Sequence, residues 1–551
     1  MRIYLTQLTA ILIATSLTTS ALAQGNKKYF IAFKDKNSST YSTTLPLQFL
    51  TQRAVDRRTK YALPITTQDL PVNASYIQQV ANVGVTISGI SKWLNGVIVT
   101  TNDPTKITTI NQLSFVKSSL DVLRKGNITN DKMDKLSAST ARAYQQVYDS
   151  SYYGAGALAV KQLNLIPLHN QGYTGTNTLI AVLDAGFPNV NVFAAFDSIN
   201  QQNKIKYTYD VVLNTPFVYA NHGHGTAVLS CIAGNMPNNY VGTGFGADVA
   251  LIRTEDAPSE NIVEEYYWVI GAEKADSIGA DIITSSLGYT AFDNPAQDHT
   301  YANMNGKTTV CAQAATIAVR KGILVCIAAG NEGNNAWQYI STPADADSIC
   351  TVGAVDVSGV RAGFSSIGPT ADGRIKPTLM ANGAGRALID AGSGTVVNAN
   401  GTSFACPTLA GAMACLFQKH ATHTPLQIIE AVKLSATLAN SPNNLYGWGI
   451  PNFGLASFLL SDTNNKIISE SKVYGAITTE NVLMLYFIKN KDTNTTLTLM
   501  DINGKTIMQH NLTINPQYDE LTLPINTALT RGTYLVRISG KNTNTVLKMV
   551  K

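Results

Sequence analysis

Between about residues 156 and 460, short apolar runs with the length of buried strands alternate with longer stretches that have helical periodicity. Strands that read as continuous apolar runs are covered on both faces, and the intervening helices are the connections that a parallel sheet requires. The segment is therefore predicted to be α/β, with a parallel sheet and helices on both faces. The predicted strands are 179–183, 249–252, 281–284, 323–328 and 348–352, and the predicted helices include 262–277, 310–321 and 403–419.

The chain has 551 residues, which is more than one compact core usually covers, since domains average about 150 residues. Residues 1–23 have the features of a signal peptide, namely Arg2, an apolar run at 8–17, and the small residues Ala21 and Ala23. The apolar run is shorter than the roughly 20 residues that a membrane-spanning helix needs. We therefore expect an exported protein without a transmembrane anchor.

Residues 24–149 and 150–462 are predicted to be separate units. Within 27–124, extended runs and helical stretches predict a small α/β unit. Residues 125–155 are polar and weakly patterned, which is typical of an exposed, cleavable linker. The predicted helices of the small unit are 46–60, 74–83 and 103–113, and its extended runs are 29–33, two within 85–101, and 115–123.

A third unit is predicted at 463–551, where the helical patterns end. Alternating runs and the tight-turn pair Asn503-Gly504 predict a small β-sandwich without catalytic chemistry. The alternating runs are 482–487, 496–500, 506–512 and 533–538.

Composition and charge exclude other classes of protein. With 45% hydrophobic and 14% charged residues, the chain is too apolar to be disordered. No run of Lys and Arg would follow a phosphate backbone, so nucleic acid is not an expected partner. Residues 24–149 hold 16 basic and 8 acidic side chains, whereas 150–551 hold 24 and 28. This asymmetry indicates either docking of the first part on the second or two unrelated surfaces.

The six cysteines all lie between residues 231 and 415 and include no C-x-x-C pair. Several are flanked by apolar residues, so buried free thiols are predicted. One or two disulfides are the alternative, because the compartment is oxidising.

Two motifs would place an acid and a base near each other. Asp184 follows an apolar strand, at the carboxyl end where ligand sites of such sheets lie. Gly223-His224-Gly225-Thr226 opens an apolar helix and carries an imidazole at its amino end. His222 competes with His224, which is preferred because it lies directly against the Gly-Thr pair. Taken alone, Asp184 would equally be a turn or capping residue.

Two further motifs would supply a nucleophile and an oxyanion donor. Ser403 lies in Gly-Thr-Ser-Phe-Ala-Cys-Pro at a predicted helix start, where backbone N–H groups are free to bind an oxyanion. Taken alone it is equally a helix N-cap. Asn331, in Ala-Ala-Gly-Asn-Glu-Gly after a strand, has an amide that can donate to the same oxygen, or is an ordinary turn residue.

Together, the blocks that contain Asp184, His224, Asn331 and Ser403 resemble the four catalytic blocks of the subtilisin-like serine proteases, in that family's order of Asp, His and Ser. The segment Ser286-Leu287-Gly288 is similar to the substrate-binding strand of that family. Further similarity covers 364–369 and 372–377.

The resemblance implies a subtilisin-like fold and a secreted serine endopeptidase that forms an acyl-enzyme on Ser403. His224 would be the general base and then the acid, Asp184 would orient the imidazole, and Asn331 would stabilise the oxyanion. Peptides or proteins would be the substrates, bound along Ser286-Leu287-Gly288. The alternatives are a cell-surface binding protein on the same fold, and an esterase, which is less favoured because Gly-x-Ser-x-Gly is absent.

Three residues depart from the family pattern. Ala185 replaces Thr or Ser after the Asp, Ala227 replaces a second His, and Thr378 replaces an Asp after Lys-Pro. None has a proton-transfer role, so activity is expected to survive, whereas hydrogen bonding near Asp184 is in question. The chemistry needs no cofactor, and calcium is open but not supported by an Asp-x-Asp-x-Asp cluster. The pair Asp345 and Asp347 is expected to be solvated.

The flanking units fit the same resemblance. Residues 27–124 resemble a subtilase prosegment, and 49–58 with 91–95 resemble the version in secreted Gram-negative subtilases. The last unit is similar to type IX secretion sorting domains, although the usual Pro-Asn-Pro opening is missing near 473–475. This implies a zymogen inhibited by its own prosegment, exported through the periplasm by the secretion machinery, and released or attached at the cell surface. The sequence leaves open the cleavage specificity, the prosegment cleavage point and the oligomeric state.

Overall fold

A computed structural model describes residues 27–123, 151–461, 472–477, 481–488, 492–514 and 518–551. The predicted signal peptide and most of the predicted linker lie outside these residues. In the described ranges, no helix combines the length and the apolar character that crossing a membrane requires.

The first unit is a four-stranded antiparallel sheet, in the order β2-β3-β1-β4, with helices. It confirms the predicted small α/β unit, except that the single helix expected over 46–60 is interrupted. A 3-10 helix covers Pro46–Gln48, and the α-helix begins at Gln52, where the side chain of Thr51 caps it by accepting from Ala54 N. The elements are β1 Lys27–Phe33, α1 Gln52–Lys60, α2 Ala74–Asn82, β2 Thr86–Ser91, β3 Gly96–Thr101, α3 Thr105–Asn111 and β4 Val116–Leu123.

The second unit is built on a seven-stranded sheet whose neighbouring strands are all parallel. The predicted α/β fold with a parallel sheet is thereby confirmed. The strands are β5 Leu179–Asp184, β6 Ile205–Asp210, β7 Asn235–Met236, β8 Tyr240–Val241, β9 Asp248–Arg253, β10 Ile282–Ser285, β11 Leu324–Ala328, β12 Cys350–Val355, β13 Leu379–Asn382, β14 Arg386–Ile389 and β15 Val396–Ala399; β7-β8 and β14-β15 form separate hairpins, and the large sheet has the order β13-β12-β11-β10-β5-β9-β6.

Helices cover both faces of this sheet. Because side chains alternate along a strand, Ile180 and Val182 of β5 face one core, and Ala181 and Leu183 face the other. The first core contains α7 and α10, and the second contains α8 and α9. The helices are α4 Ala157–Gln162, α5 Ile166–Asn170, α6 Asp197–Gln201, α7 His224–Ala233, α8 Val263–Ile278, α9 Val310–Arg320, α10 Thr402–Lys419, α11 Pro425–Leu434 and α12 Phe453–Ser461.

Two local predictions for this unit are wrong. The linker expected over 125–155 does not extend to its last residues, because Tyr153 is buried and its hydroxyl lies 2.9 Å from Nδ1 of His169. Asp345 is fully buried rather than solvated and accepts a hydrogen bond from Gly306 N at 2.6 Å, whereas Asp347 is exposed.

All six cysteines are buried and free, as the leading interpretation of the sequence predicted. Burial raises the pKa of the Cys326 thiol well above its usual value, and that of Cys406 to about 12. Cys326 and Cys350 lie opposite each other on β11 and β12.

The C-terminal strands form two sheets, of three and four strands, around a shared apolar core that contains Leu485, Leu499 and Val536. This is the predicted β-sandwich. Its strands are β16 Lys472–Ile477, β17 Val482–Ile488, β18 Asn494–Asp501, β19 Thr506–Thr513, β20 Tyr518–Pro524, β21 Thr533–Gly540 and β22 Asn544–Val550.

The first unit docks on α8 of the second through charge and through apolar packing. The Glu273 carboxylate accepts from Ser91 Oγ at 2.5 Å, from Lys92 N at 2.8 Å and from Trp93 N at 2.9 Å. The Trp93 side chain belongs to the second core of the large sheet, together with α8. Docking, rather than two unrelated surfaces, therefore accounts for part of the charge asymmetry.

One turn further along α8, Asp276 binds several cations of the first unit. Its Oδ1 lies 2.5 Å from Arg57 Nη2 and 2.8 Å from Arg58 Nη2, and its Oδ2 lies 3.4 Å from Lys92 Nζ. Asp276, Arg57 and Arg58 are buried, so these charges are held by one another and not by water.

We expect Asp276→Asn to destabilise the docked chain, since it removes the carboxylate paired with the buried Arg57 and one of the two carboxylates paired with the buried Arg58. Breaking a buried ion pair by removing one partner costs about 3 to 5 kcal/mol. The measurement is urea denaturation of the full chain carrying Ser403→Ala, which excludes self-cleavage. Tryptophan fluorescence reports the transition, because the indoles of Trp93 and Trp268 both lie in the second core.

The matched control is Asp248→Asn. The Asp248 carboxylate lies 3.7 Å from Nζ of Lys206, whose side chain is 45% exposed. An exposed pair of this kind contributes under about 1 kcal/mol. Equal shifts in the urea midpoint for the two variants would contradict the importance given to the Asp276 cluster.

Candidate active site

Three predicted site residues lie where strands of the large sheet end and helices begin. Asp184 is the last residue of β5, His224 is the first residue of α7, and Ser403 is the second residue of α10. All of them are at the carboxyl edge of the parallel sheet, where α/β proteins bind their ligands. Residues separated by 40 and 179 positions are thus brought together at this edge.

The acid and the imidazole form a buried hydrogen-bonded pair. His224 Nδ1 lies 2.8 Å from Oδ1 of the fully buried Asp184, and Ala185 N donates to the same oxygen at 2.8 Å. Glycine is required beside this pair, because a Cβ on Gly225 would lie 2.3 Å from Gly186 O. The sequence motif around the histidine therefore lets α7 start close enough to β5 for the contact.

The other carboxylate oxygen of Asp184 lacks a hydrogen bond within the described part of the chain, and the residue after it is an alanine. Oδ2 is buried and has no hydrogen-bond partner among the described residues. The next residue is Ala185, which has no hydroxyl to donate. The departure noted at this position in the sequence thus coincides with an unsatisfied acceptor.

His222 has a different role from His224. Its Nδ1 accepts a hydrogen bond from the backbone N–H of His224 at 3.2 Å. His222 therefore supports the first turn of α7, and the contact with Asp184 belongs to His224.

Ser403 lies beside the segment 286–288, which directly follows β10. Its hydroxyl donates to the carbonyl oxygen of Ser286 at 3.3 Å, and Ser286 Oγ donates to Ser403 O at 2.7 Å. The Ser403 side chain lines a cleft that also contains His224. Gly288, two residues further along this segment, has no room for a side chain, since its Cβ would lie 2.0 Å from Ser341 Oγ.

The amide of Asn331 is oriented by the residue before Ser403. Its Oδ1 accepts from Thr402 N at 2.9 Å and from Thr402 Oγ1 at 3.0 Å. A backbone N–H can only donate, so the amide atom that faces it must be the oxygen. The Nδ2 end is therefore the donor end of the group, and Asn331 lines the same cleft as Ser403.

The cleft encloses about 130 Å³ and brings all the predicted site residues except the buried Asp184 to one surface. Sequence reasoning missed three glutamates in it. Glu332 belongs to the motif Ala-Ala-Gly-Asn-Glu-Gly, in which only Asn331 is predicted to act. Glu255 and Glu260 lie in the loop after β9, where no sequence motif indicates a site. The lining residues are His224, Glu255, Glu260, Ser286, Leu287, Gly288, Tyr289, Thr290, Ala328, Gly330, Asn331, Glu332, Ser341, Thr402 and Ser403.

Glu255 is a buried glutamate whose pKa is raised. Burial raises its pKa to about 7, hydrogen bonds from Tyr289 and Thr254 oppose that rise, and the nearby Asp184 carboxylate adds to it. The described residues contain no group of three or more His, Cys, Asp or Glu side chains that could hold a metal ion.

Comparison with known proteins gives three family matches. The subtilase family matches residues 175–449, the peptidase S8 propeptide domain of Bacteroidota matches 28–139, and the secretion system C-terminal sorting domain matches 479–551. The last match indicates a protein that is secreted or located at the cell surface.

Several characterised subtilisins are similar to this chain. Subtilisin NAT of Bacillus subtilis subsp. natto is 30% identical over 356 residues, which cover 63% of this chain and 82% of that protein. Subtilisin of Bacillus pumilus is 32% identical over 309 residues, covering 54% and 97%. Subtilisin Savinase of Lederbergia lenta is 31% identical over 285 residues, covering 52% and 92%. The chain therefore belongs to the subtilase family, with a Bacteroidota-type propeptide before the protease domain and a secretion sorting domain after it.

Proposed function

We propose that this protein is a secreted serine endopeptidase that is made as a zymogen and hydrolyses peptide bonds through an acyl-enzyme on Ser403. One observation carries the proposal: the buried hydrogen bond between Asp184 and His224 adjoins a cleft that also holds Ser403 and Asn331. A binding protein on the same fold would need none of these four side chains.

In the acylation step, His224 removes the proton from Ser403 Oγ while that oxygen attacks the carbonyl carbon of the scissile bond. Rotation about the Cα–Cβ bond of Ser403 turns the hydroxyl from Ser286 O toward the imidazole. The carbonyl oxygen becomes negative and receives hydrogen bonds from Asn331 Nδ2 and from the N–H groups that open α10. His224 then protonates the leaving nitrogen, the C–N bond breaks, and the acyl group stays on Ser403.

In the deacylation step, water takes the place of the released amine. His224 removes a proton from water, the resulting oxygen attacks the acyl carbon, and the C–O bond to Ser403 breaks as the serine is reprotonated. Asp184 holds the imidazole through Nδ1 and stabilises it when it is positively charged. No step requires a metal ion or an organic cofactor.

The peptide substrate is proposed to lie as an extended strand beside Ser286-Leu287-Gly288. This segment continues from β10 and reaches the nucleophile, because Ser286 is hydrogen-bonded to Ser403 in both directions. Main-chain hydrogen bonds of this type give affinity that is largely independent of side chains, and pockets then give specificity.

The zymogen form follows from the docked propeptide. Its last described strand, β4, ends at Leu123, and the carbonyl of Asp121 accepts from Gln297 Nε2 at 3.0 Å. We propose the unit bounds 24–149 for the propeptide with its linker, 150–462 for the protease domain and 463–551 for the sorting domain. The propeptide would act as the chain's own inhibitor until it is cleaved off.

Ser403→Ala is expected to abolish peptide hydrolysis and labelling by a fluorophosphonate, since both reactions require the Oγ nucleophile. The measurement is labelling of the secreted protein after propeptide release, followed by peptide mapping. Ser358→Ala, an exposed serine far along the chain from the motif, is the control. If the propeptide-free protein gave no adduct on Ser403, the non-catalytic binding protein would be favoured instead.

Asn331→Ala is expected to lower kcat by about 10² to 10³ with little change in KM, because the donor acts on charge that develops in the transition state; this magnitude comes from subtilisin, a relative of this chain. Steady-state kinetics on one peptide measures both constants. Asn334→Ala, at an exposed position three residues away, should leave them unchanged. An effect confined to KM would contradict the oxyanion role.

Deletion of residues 463–551 is expected to stop export while leaving the protease domain intact. The deletion removes the whole sandwich, which has its own apolar core, and leaves the core of the large sheet complete. Immunoblots of the medium, the cell surface and the periplasm of a Bacteroidota host measure where the protein is found. Unchanged export would contradict the sorting role.

A further inference from the structure

The cleft that holds the proposed catalytic groups is acidic. Three of its lining residues are the glutamates 255, 260 and 332, and no lysine or arginine lines it among the described residues. The fully buried Asp184 carboxylate lies directly behind His224. Charges of one sign on the walls of a cleft raise the local concentration of ligands of the opposite sign.

Glu255 lines this cleft, and only one of its two carboxylate oxygens accepts hydrogen bonds from described residues. The side chain is only 5% exposed, and its Oε1 accepts from Tyr289 Oη at 2.7 Å and from Thr254 Oγ1 at 3.0 Å. Its Oε2 accepts no hydrogen bond from any described residue. Oε2 is not among the fully enclosed atoms that lack a partner, and the side chain lines the cleft, so a cation or a donor in the cleft can meet this oxygen and stabilise the largely buried carboxylate.

Arg253, two residues before Glu255, directs its Nη1 and Nη2 atoms to other carboxylates. Arg253 donates to Asp210 Oδ2 at 2.8 Å and lies 3.5 Å from Asp256 Oδ1. Among the described residues it forms no ion pair with Glu255, although its charge lowers the pKa of that carboxyl. Oε2 is thus open to a cation that a ligand brings into the cleft.

The other two glutamates occupy different parts of the wall. Glu260 is held by its backbone, because its N–H donates to Asp293 Oδ2 at 3.1 Å. Glu332 directly follows Asn331, and its Oε2 accepts from Asn335 Nδ2 at 2.5 Å. Both side chains are half-buried, so each adds negative potential to the cleft but is better solvated than Glu255.

The pKa of Glu255 is raised to about 7, as expected for a carboxylate that is buried and lies near the negative charge of Asp184. A lysine or arginine side chain placed against Oε2 would favour the ionised form, as an adjacent positive charge does for any carboxylate. Binding of such a side chain at neutral pH would thus release protons from the cleft.

We propose that the cleft selects peptides that carry a lysine or arginine side chain close to the scissile bond, with the cation bound at Glu255. This inference rests on the proposed peptidase function and adds the class of substrate to it. A charge-assisted hydrogen bond to a buried carboxylate is among the strongest that a protein makes, so one such contact can dominate the choice of substrate.

The test uses the secreted, propeptide-free protein and a panel of fluorogenic octapeptides. The peptides share one sequence and differ by a single Lys, Met or Glu placed at each position in turn. Lysine and methionine side chains have similar length and differ in charge, so the ratio of their kcat/KM values isolates the charge. We expect a Lys to Met ratio of at least about ten at one position, and the slowest cleavage with Glu there.

Glu255→Gln is expected to lower this ratio at least about tenfold, which corresponds to about 1.4 kcal/mol of discrimination. The amide keeps the shape of the side chain and an oxygen that can accept from Tyr289 and Thr254. Glu260→Gln, at a half-buried position, should lower the Lys to Met ratio by a smaller factor. This variant takes the place of Glu255→Gln if that protein is not secreted. Glu430→Gln removes one charge from a side chain that is 56% exposed and paired with Lys433, and should leave the ratio unchanged.

The outcomes separate the two proposals. Cleavage of the peptides with a Lys to Met ratio near one at every position would overturn the charge selection and leave the peptidase function standing. A high ratio that survives both glutamate substitutions would equally overturn the assignment to this wall of the cleft. Failure to cleave any peptide, with no fluorophosphonate adduct on Ser403, would overturn the peptidase function and the inference with it.

Discussion

The hydrogen bond between Asp184 and His224 constrains how the elements around it can pack. It needs a carboxylate in a place without water, and the end of a fully buried parallel strand supplies that place. It also needs the start of α7 to touch the end of β5, which only Gly225 and its small neighbours allow. The two cores on either side of the sheet fix these two elements in position, so the pair is held by the whole α/β unit and not by its own loops.

The propeptide contributes side chains to the core of the α/β unit, in addition to lying on its surface. Its side chains Phe30, Trp93 and Ile98 belong to the same apolar core as α8 and α9. Its buried Arg57 and Arg58 both pair with Asp276 of α8, and Arg58 also pairs with Asp69 of the propeptide. Removal of the propeptide therefore exposes apolar surface and two buried acids of α8 at once. The mature protease domain is expected to be held in its fold by the first core, which contains no propeptide residue.

Most of the architecture could be predicted from the sequence, because apolar strands, helical periods and turn residues are local signals. β5, β9, β10, β11 and β12 were predicted within two or three residues. β6 and β13 were missed: β6 is a partly exposed edge strand with the mixed sequence Ile-Lys-Tyr-Thr-Tyr-Asp, and β13 has only four residues. The site residues were predicted from short motifs whose glycines restrict the geometry. Glu255 could not be predicted, since its burial depends on Tyr289 and on β9, β10 and α8 packing together.

The six buried thiols have a consequence for export. A protein that crosses an oxidising compartment usually gains from disulfides, yet here every cysteine is buried and free. In the folded chain every thiol is buried and thus out of reach of oxidants in solution. In the unfolded chain, Cys326 and Cys350 are as reactive as any others. Folding before prolonged contact with oxidants would therefore protect the chain from mispairing, since burial in the core keeps oxidants away from the thiols.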